Sequence, residues 1–236
     1  MTAELEPREG KQPVLIIVMG VASTGKTTLA KALNDKLGLP YVEGDDLHPK
    51  SNIEKMSNGI PLTDADREPW LELIRTTAEH MVAEQQARLA PADASKRIGV
   101  MVTCSALKRY YRDILRGTRR AQKVPEHLET SAPARLATYF VYIKAEEALL
   151  RERMANRQGH FMKPQMLDSQ LATLESPEGE EGVVVVPLDK TTEEQVDIAI
   201  EELRRLFGDL DFRTVEDRKE GEPEEVSVSE EVVNGK

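Results

Sequence analysis

Cysteine is almost absent from this 236-residue chain, which carries one, Cys104. A lone thiol excludes an internal disulfide and agrees with a reducing compartment. Aromatic residues make up only 4%, and the single tryptophan, Trp70, reads either as a stacking surface for a ligand or as the buried anchor of a helix. Long apolar runs are missing too. None approaches the roughly 20 residues needed to cross a bilayer, and Met1 to Gln12 is charged, without the apolar core of a signal peptide. A cytoplasmic protein with no membrane segment is expected. Positive charge is in deficit, with 32 Lys and Arg against 42 Asp and Glu, a net of −10. Asp209 to Lys236 holds ten acidic and four basic residues, so this stretch supplies −6 of it. That balance argues against a nucleic-acid surface, which needs basic side chains to neutralise phosphates. His48 and His160 have no second histidine or cysteine at ligand spacing, which argues against a zinc centre.

What is present is a phosphate cradle. Gly20-Val21-Ala22-Ser23-Thr24-Gly25-Lys26-Thr27 fits the P-loop pattern G-x-x-x-x-G-K-[ST] at every fixed position. The apolar run Val14 to Met19 precedes it as a buried strand, and Lys26 to Leu37 follows with Leu29, Ala32, Leu33 and Leu37 at helical spacing before Gly38. Glycines let backbone N–H groups and the positive end of the helix converge on phosphate. Lys26 then reaches the β- and γ-phosphates, and the Thr27 hydroxyl joins the shell of Mg²⁺.

Five apolar runs, Val14 to Met19, Tyr41-Val42, Val100 to Cys104, Tyr139 to Ile143 and Val183 to Val186, alternate with helical stretches. The alternation predicts an α/β fold, a five-stranded parallel sheet flanked by helices. Thr191 and Glu194 form a capping box for a last helix that presents Val196, Ile200, Leu203 and Phe207 on one face. Arg88 to Lys96 and Gly117 to Ala137 read as surface insertions. Arg119, Arg120 and Lys123 in the second of these read as a solvated polar stretch or, less simply, a basic patch.

A P-loop does not separate switches, motors and small-molecule kinases. No guanine-reading Asn-Lys-x-Asp occurs, and Val100 to Cys104 ends in Cys104-Ser105 instead of the paired carboxylates of a motor ATPase. Glu43-Gly44-Asp45-Asp46-Leu47-His48-Pro49 follows the second strand, where such sheets open into a ligand crevice. Its carboxylates either hold a metal and accept a proton in phosphoryl transfer, or close a turn on their own backbone.

The P-loop, Gly44 to Pro49, Asn52 to Met56, Gly59 to Asp64 through Arg67-Glu-Pro-Trp70, Cys104 to Lys108 with Tyr111-Arg-Asp113, and Gly159-His-Phe-Met162 through Leu167 to Gln170 and Thr173 to Glu175 together resemble the thermoresistant gluconokinases. The likeness runs from about Val14 to Leu206. It implies a P-loop NTPase fold like nucleoside monophosphate and shikimate kinases, with a lid, usually as a homodimer. The implied reaction is ATP-dependent phosphorylation of D-gluconate at its 6-hydroxyl, feeding the pentose phosphate pathway. On this basis the expected organisation is a flexible N-terminus over 1–12, one kinase domain over 13–208 with a lid around 151–175, and an acidic disordered tail over 209–236.

The resemblance puts Gly20 to Thr28 on the ATP phosphates and makes Asp45 the group that orients and deprotonates the sugar-acid hydroxyl. Glu43 stands where relatives often have Asp. An anionic polyol needs a cation, and the Arg67 guanidinium can grip both carboxylate oxygens; the alternative for Arg67 is a salt bridge to Asp64 or Asp66. Lys108 adds charge or binds substrate oxygens, and Ser105 reads as a polar contact or helix cap. Arg153 and Arg157 lie four apart, on one helical face, where they can swing over the phosphates as part of a lid or pair with Glu147 or Glu152. His48 and His160 read as loop structure or as hydrogen-bond partners of the substrate. Cys104 reads as a packed strand end. Two rival functions stay open, a kinase for another small hydroxy acid and a non-catalytic nucleotide-binding regulator.

Overall fold

The computed structural model describes residues 11–88, 96–121, 136–156 and 164–212. Five strands, β1 (Val14–Met19), β2 (Tyr41–Glu43), β3 (Gly99–Thr103), β4 (Ala137–Lys144) and β5 (Val183–Pro187), form one parallel sheet in the order β2-β3-β1-β4-β5. Helices α1 (Lys26–Leu37), α2 (Lys50–Ser57), α3 (Asp64–Ala87), α4 (Arg109–Arg116), α5 (Glu147–Asn156), α6 (Pro164–Thr173) and α7 (Thr192–Phe207) connect the strands. All six residues of β1 are buried, and its sequence VLIIVM shows no alternation because helices cover both faces. One layer is α1 with α7 and the other is α3 with α4.

Local signals set the helix ends. α1 begins after Gly25, whose φ of 85° only glycine adopts readily, and stops at Gly38, whose N–H bonds the Asn34 carbonyl at 2.7 Å. α7 starts with the expected capping box of Thr191 and Glu194 and ends at Phe207. α3 carries a second capping box, between Thr63 and Asp66. β4 starts at Ala137 behind the buried Leu136, so the last residue of the expected insertion belongs to the sheet. Residues 89–95 and 122–135, which hold most of both insertions, and 213–236 lie outside the described residues.

The packed unit continues past residue 208. Phe212 is buried, faces Phe207 edge-on, and pairs as an isolated bridge with Arg97, whose N–H bonds the Asp211 carbonyl at 2.8 Å. Lys11 meets Asp209 at 2.8 Å. Residues 11–12 and 209–212, grouped with the flexible ends on the strength of their charge, are therefore part of the fold.

The strand order fixes the crevice. From β1 the chain crosses to β2 on one side, returns through β3, and passes to β4 on the other side of β1. Connections leave β1 and β3 in opposite directions, and ligands bind beyond the carboxyl ends of the strands at such a reversal.

Candidate active site

The turn after β1 has three residues at positive φ, Gly20 at 148°, Ser23 at 63° and Gly25 at 85°. These conformations wrap the backbone around the N-terminus of α1 and make an anion-binding hollow. Thr24 is buried, with its hydroxyl on the Val21 carbonyl at 2.8 Å, and Lys26 Nζ donates to the same carbonyl at 3.0 Å. The Ala22 N–H donates to Gln170 Oε1 at 2.7 Å, so a side chain of α6 touches the loop directly.

Two carboxylates follow β2, and their surroundings differ. Glu43 Oε2 accepts the Tyr41 hydroxyl at 2.6 Å and the Thr27 hydroxyl at 2.9 Å, and Glu43 Oε1 accepts the hydroxyl of Thr103 at the end of β3. Asp45 sits on a 3₁₀ turn over Gly44–Leu47 whose N-cap, Glu43, turns its carboxylate to those hydroxyls and makes no side-chain capping bond to the turn. The Asp45 carboxylate takes no hydrogen bond from the described residues. Although its surface is open to the cleft, crowding by protein atoms raises the Asp45 carboxyl above its ordinary range; Lys26 opposes this, and Glu43 and Asp46 add to it. The turn is pinned at Gly44, where a Cβ would lie 2.0 Å from the Thr103 carbonyl oxygen. No side chain fits there. The Gly44 carbonyl accepts the Trp70 indole N–H at 2.7 Å.

The opposite wall comes from α2, α3 and α4. Trp70 is buried and stacks on His48 at 4.0 Å between ring centroids, which makes it the anchor of this wall. Asn52 Nδ2 donates to the Asp66 carbonyl at 2.8 Å and lies 3.3 Å from His48 Nδ1, an orientation that leaves the imidazole proton on Nε2. Burial, and after it the charge of Arg67, lowers the His48 pKa to about 4, so the ring is neutral near neutral pH.

Arg67 is buried and makes neither of the salt bridges open to it from the sequence. One guanidinium nitrogen donates to the Leu62 carbonyl at 2.5 Å, and the group lies 5.9 Å from the centre of the Tyr111 ring. The aspartates beside it are held elsewhere. Asp66 closes the capping box and meets Lys55 at 2.5 Å, and burial is outweighed by these bonds, so its pKa falls to about 2. Asp64 receives Lys108 Nζ on both oxygens at 2.8 Å and the Tyr111 hydroxyl on one. Lys108 is thus a paired cation, whereas the buried Arg67 guanidinium has no carboxylate partner among the described residues.

From α5, Arg153 reaches back to the Leu188 carbonyl just after β5, 3.0 Å away. It pairs with neither Glu147 nor Glu152; Arg151 takes Glu147 at 2.7 Å and also bridges to Asp168 on α6 at 2.8 Å. Arg157 and His160 lie outside the described residues. Ser105 does not cap α4, whose N-cap is Lys108 with no side-chain capping bond. Cys104 is a packed strand end, and burial pushes its thiol up to about 12. A cavity of about 530 Å³ lined by Arg109, Arg112, Arg116 and Glu180 contains none of these groups. Arg112 there is fully buried and its guanidinium is committed to Glu180 and three backbone carbonyls.

Tyr41 and Thr103 carry site contacts that no local pattern announced, and the partners taken by Glu43, Asp64 and Gln170 lie far off in sequence. Tyr41 and Glu43 share a strand face by the period of two, which is the one sequence signal available for that pair. Among the described residues no cluster of three or more His, Cys, Asp or Glu suits a metal ion. Thr27 gives its proton to Glu43 and so keeps its lone pairs, a hard oxygen donor that fits Mg²⁺ shared with nucleotide phosphates.

The family described as AAA domain matches residues 15–177. The chain is 42% identical over 204 residues to a gluconokinase of Gluconobacter oxydans (strain 621H), covering 86% of this chain and 97% of that one. It is 34% identical over 192 residues to the thermoresistant gluconokinase of Escherichia coli (strain K12), covering 81% and 94%. A crystal structure of a gluconokinase from Sinorhizobium meliloti 1021 superposes with a TM-score of 0.64 at 40% identity, covering 84% of this chain and 95% of the other.

Proposed function

The chain belongs to the gluconokinases, with an AAA-domain P-loop core, and from that premise we propose that it transfers the γ-phosphoryl group of ATP to the 6-hydroxyl of D-gluconate. The products are 6-phospho-D-gluconate and ADP. One observation carries the assignment of sides: the unbonded carboxylate of Asp45 feels the charge of Lys26 in the phosphate loop, while the Arg67 guanidinium of the opposite wall has no acidic partner among the described residues. A cation for the acid end and a base for the alcohol end are what this acceptor needs.

In this reading Gly20 to Thr28 cradles the phosphates and Lys26 draws the transferred group into line. Asp45 accepts the proton of the 6-hydroxyl as the new O–P bond forms and the bond to the ADP oxygen breaks; its raised pKa makes it a stronger base for that proton than an ordinary surface carboxylate. Arg67 holds the carboxylate. The neutral His48, through Nε2–H, and the Lys108–Asp64 pair read hydroxyls along the chain. Thr27 would hold Mg²⁺, which when bound would neutralise charge on the nucleotide phosphates. Arg153, together with Arg157 and His160, closes the lid side and excludes water. We also infer a homodimer acting in the cytoplasm within the pentose phosphate pathway.

Coupled ADP release with Mg-ATP across a panel of sugar acids tests the assignment. Gluconate should give the highest kcat/KM. Turnover of shikimate or another hydroxy acid with none on gluconate overturns the acceptor, and nucleotide binding without acceptor-dependent ADP release overturns the kinase.

A further inference from the structure

Three hydroxyls from three separate elements converge on one carboxylate, that of Glu43. Oε2 is shared by Tyr41 of the same strand at 2.6 Å and Thr27 of the phosphate loop at 2.9 Å, while Oε1 takes Thr103 of the neighbouring strand. Each hydroxyl has one proton, and a carboxylate is an acceptor only. Thr27 therefore spends its proton on Glu43 and turns lone pairs toward the loop. How well it does so depends on where Oε2 stands. The terminal torsion of a glutamate is broad, so the carboxylate plane is set by its bonds and not by its own rotamer. Thr103 fixes one oxygen and Tyr41 the other.

We propose that Tyr41 is a positioning residue for the metal: acting through Glu43, it fixes the proton of Thr27 so that this hydroxyl meets the cation with lone pairs alone. The inference rests on the reading of Thr27 as the Mg²⁺ ligand. Without the tyrosine hydroxyl, Oε2 rotates, the Thr27 proton is free to point at the cation, and affinity falls. Partners that orient a ligating group typically change metal affinity by about 10- to 100-fold, and Tyr41, one bond further out, belongs at the tenfold end.

The test uses the full-length protein with a non-hydrolysable ATP analogue and Mn²⁺ as the probe, with bound Mn²⁺ read by electron paramagnetic resonance. Nucleotide affinity in EDTA is measured in parallel by calorimetry. Tyr41→Phe should weaken Mn²⁺ about tenfold, leave the EDTA affinity unchanged, and raise the Mg²⁺ needed for half-maximal turnover by the same factor while kcat at saturating Mg²⁺ recovers. Thr27→Val should weaken Mn²⁺ at least as much. If Thr27→Val binds Mn²⁺ like the wild type, the underlying ligand reading falls. If Thr27→Val weakens it and Tyr41→Phe does not, the positioning role alone is wrong. Equal losses with and without metal for Tyr41→Phe mark a merely structural residue and also overturn it. Should Tyr41→Phe fail to fold, Glu43→Gln carries the same comparison: a loss confined to the metal-bound state supports the chain of contacts, and wild-type Mn²⁺ affinity refutes it.

Discussion

Replacing Arg67 with methionine separates its two possible duties, because the structure ties each to a different observable. The guanidinium spends one nitrogen on the Leu62 carbonyl, which leaves other N–H groups for a ligand carboxylate. A hydrogen bond to a charged partner contributes about 1.5–3 kcal/mol. At about 1.4 kcal/mol per factor of ten, losing one such bond raises the gluconate KM by about 10- to 100-fold. The carboxylate and the 6-hydroxyl are opposite ends of the acceptor, so the lost interaction is the same in the ground and transition states and kcat should change far less. Stability falls as well. The buried Leu62 carbonyl loses its partner, at about 1–3 kcal/mol, and for a chain of this size each kcal/mol lowers Tm by about 2–4 °C. His48, no longer beside a positive charge, should titrate above the value of about 4 that burial and Arg67 together impose. Coupled ADP release against gluconate concentration gives KM and kcat, calorimetry gives Tm, and an NMR titration of the imidazole gives the third reading. If Tm drops and His48 shifts while KM stays within about threefold of the wild type, Arg67 is a structural residue and the carboxylate is bound elsewhere.

Asp45→Asn should lower kcat by about 10²- to 10⁴-fold, the usual worth of a positioned general base, with gluconate affinity little changed; steady-state kinetics at saturating Mg-ATP checks it, and wild-type turnover ends the general-base role. The depressed pKa of His48, from 6.5 to about 4, means that the unfolded chain binds a proton in this window that the native chain does not. Stability is therefore full above about pH 6.5 and declines as pH falls toward 4, by up to about 3 kcal/mol from this residue. His48→Phe, which keeps the stack on Trp70, should flatten that part of a Tm-versus-pH curve, and an unchanged slope would assign the loss to other groups. Truncation after Phe212 should leave Tm and kcat near wild type, whereas truncation after Gly208 removes a buried aromatic and should cost about 3–5 kcal/mol by denaturant unfolding; equal stability of the two would mean that Phe212 packs without consequence.

Much of the architecture is legible because its signals are local. VLIIVM can only be a strand buried on both faces, and the bounds of α1 and α7 are written by Gly25, Gly38, Thr191 and Glu194 within a few residues of each end. The site is harder to read, because its decisive pairings join distant segments. Whether Arg67 is open depends on Asp64 choosing Lys108, 44 residues away, and on Asp66 choosing Lys55. Glu43 looks like one acid in an acidic turn until Thr27 and Thr103 are brought beside it from β1's loop and β3. Composition also hid the end of the fold, since one buried Phe212 lies in a stretch dominated by exposed charge.

The anchoring of Trp70 has a practical side. This is the only indole in the chain, its N–H is fixed on the Gly44 carbonyl, and its ring lies flat on His48, one turn of chain from Asp45. Excited at the red edge, where the tyrosines are dark, the molecule emits from a single spot on the wall opposite the phosphate loop. On the proposed assignment of this wall to the acceptor, its intrinsic fluorescence should report acceptor arrival separately from nucleotide arrival in a rapid-mixing experiment.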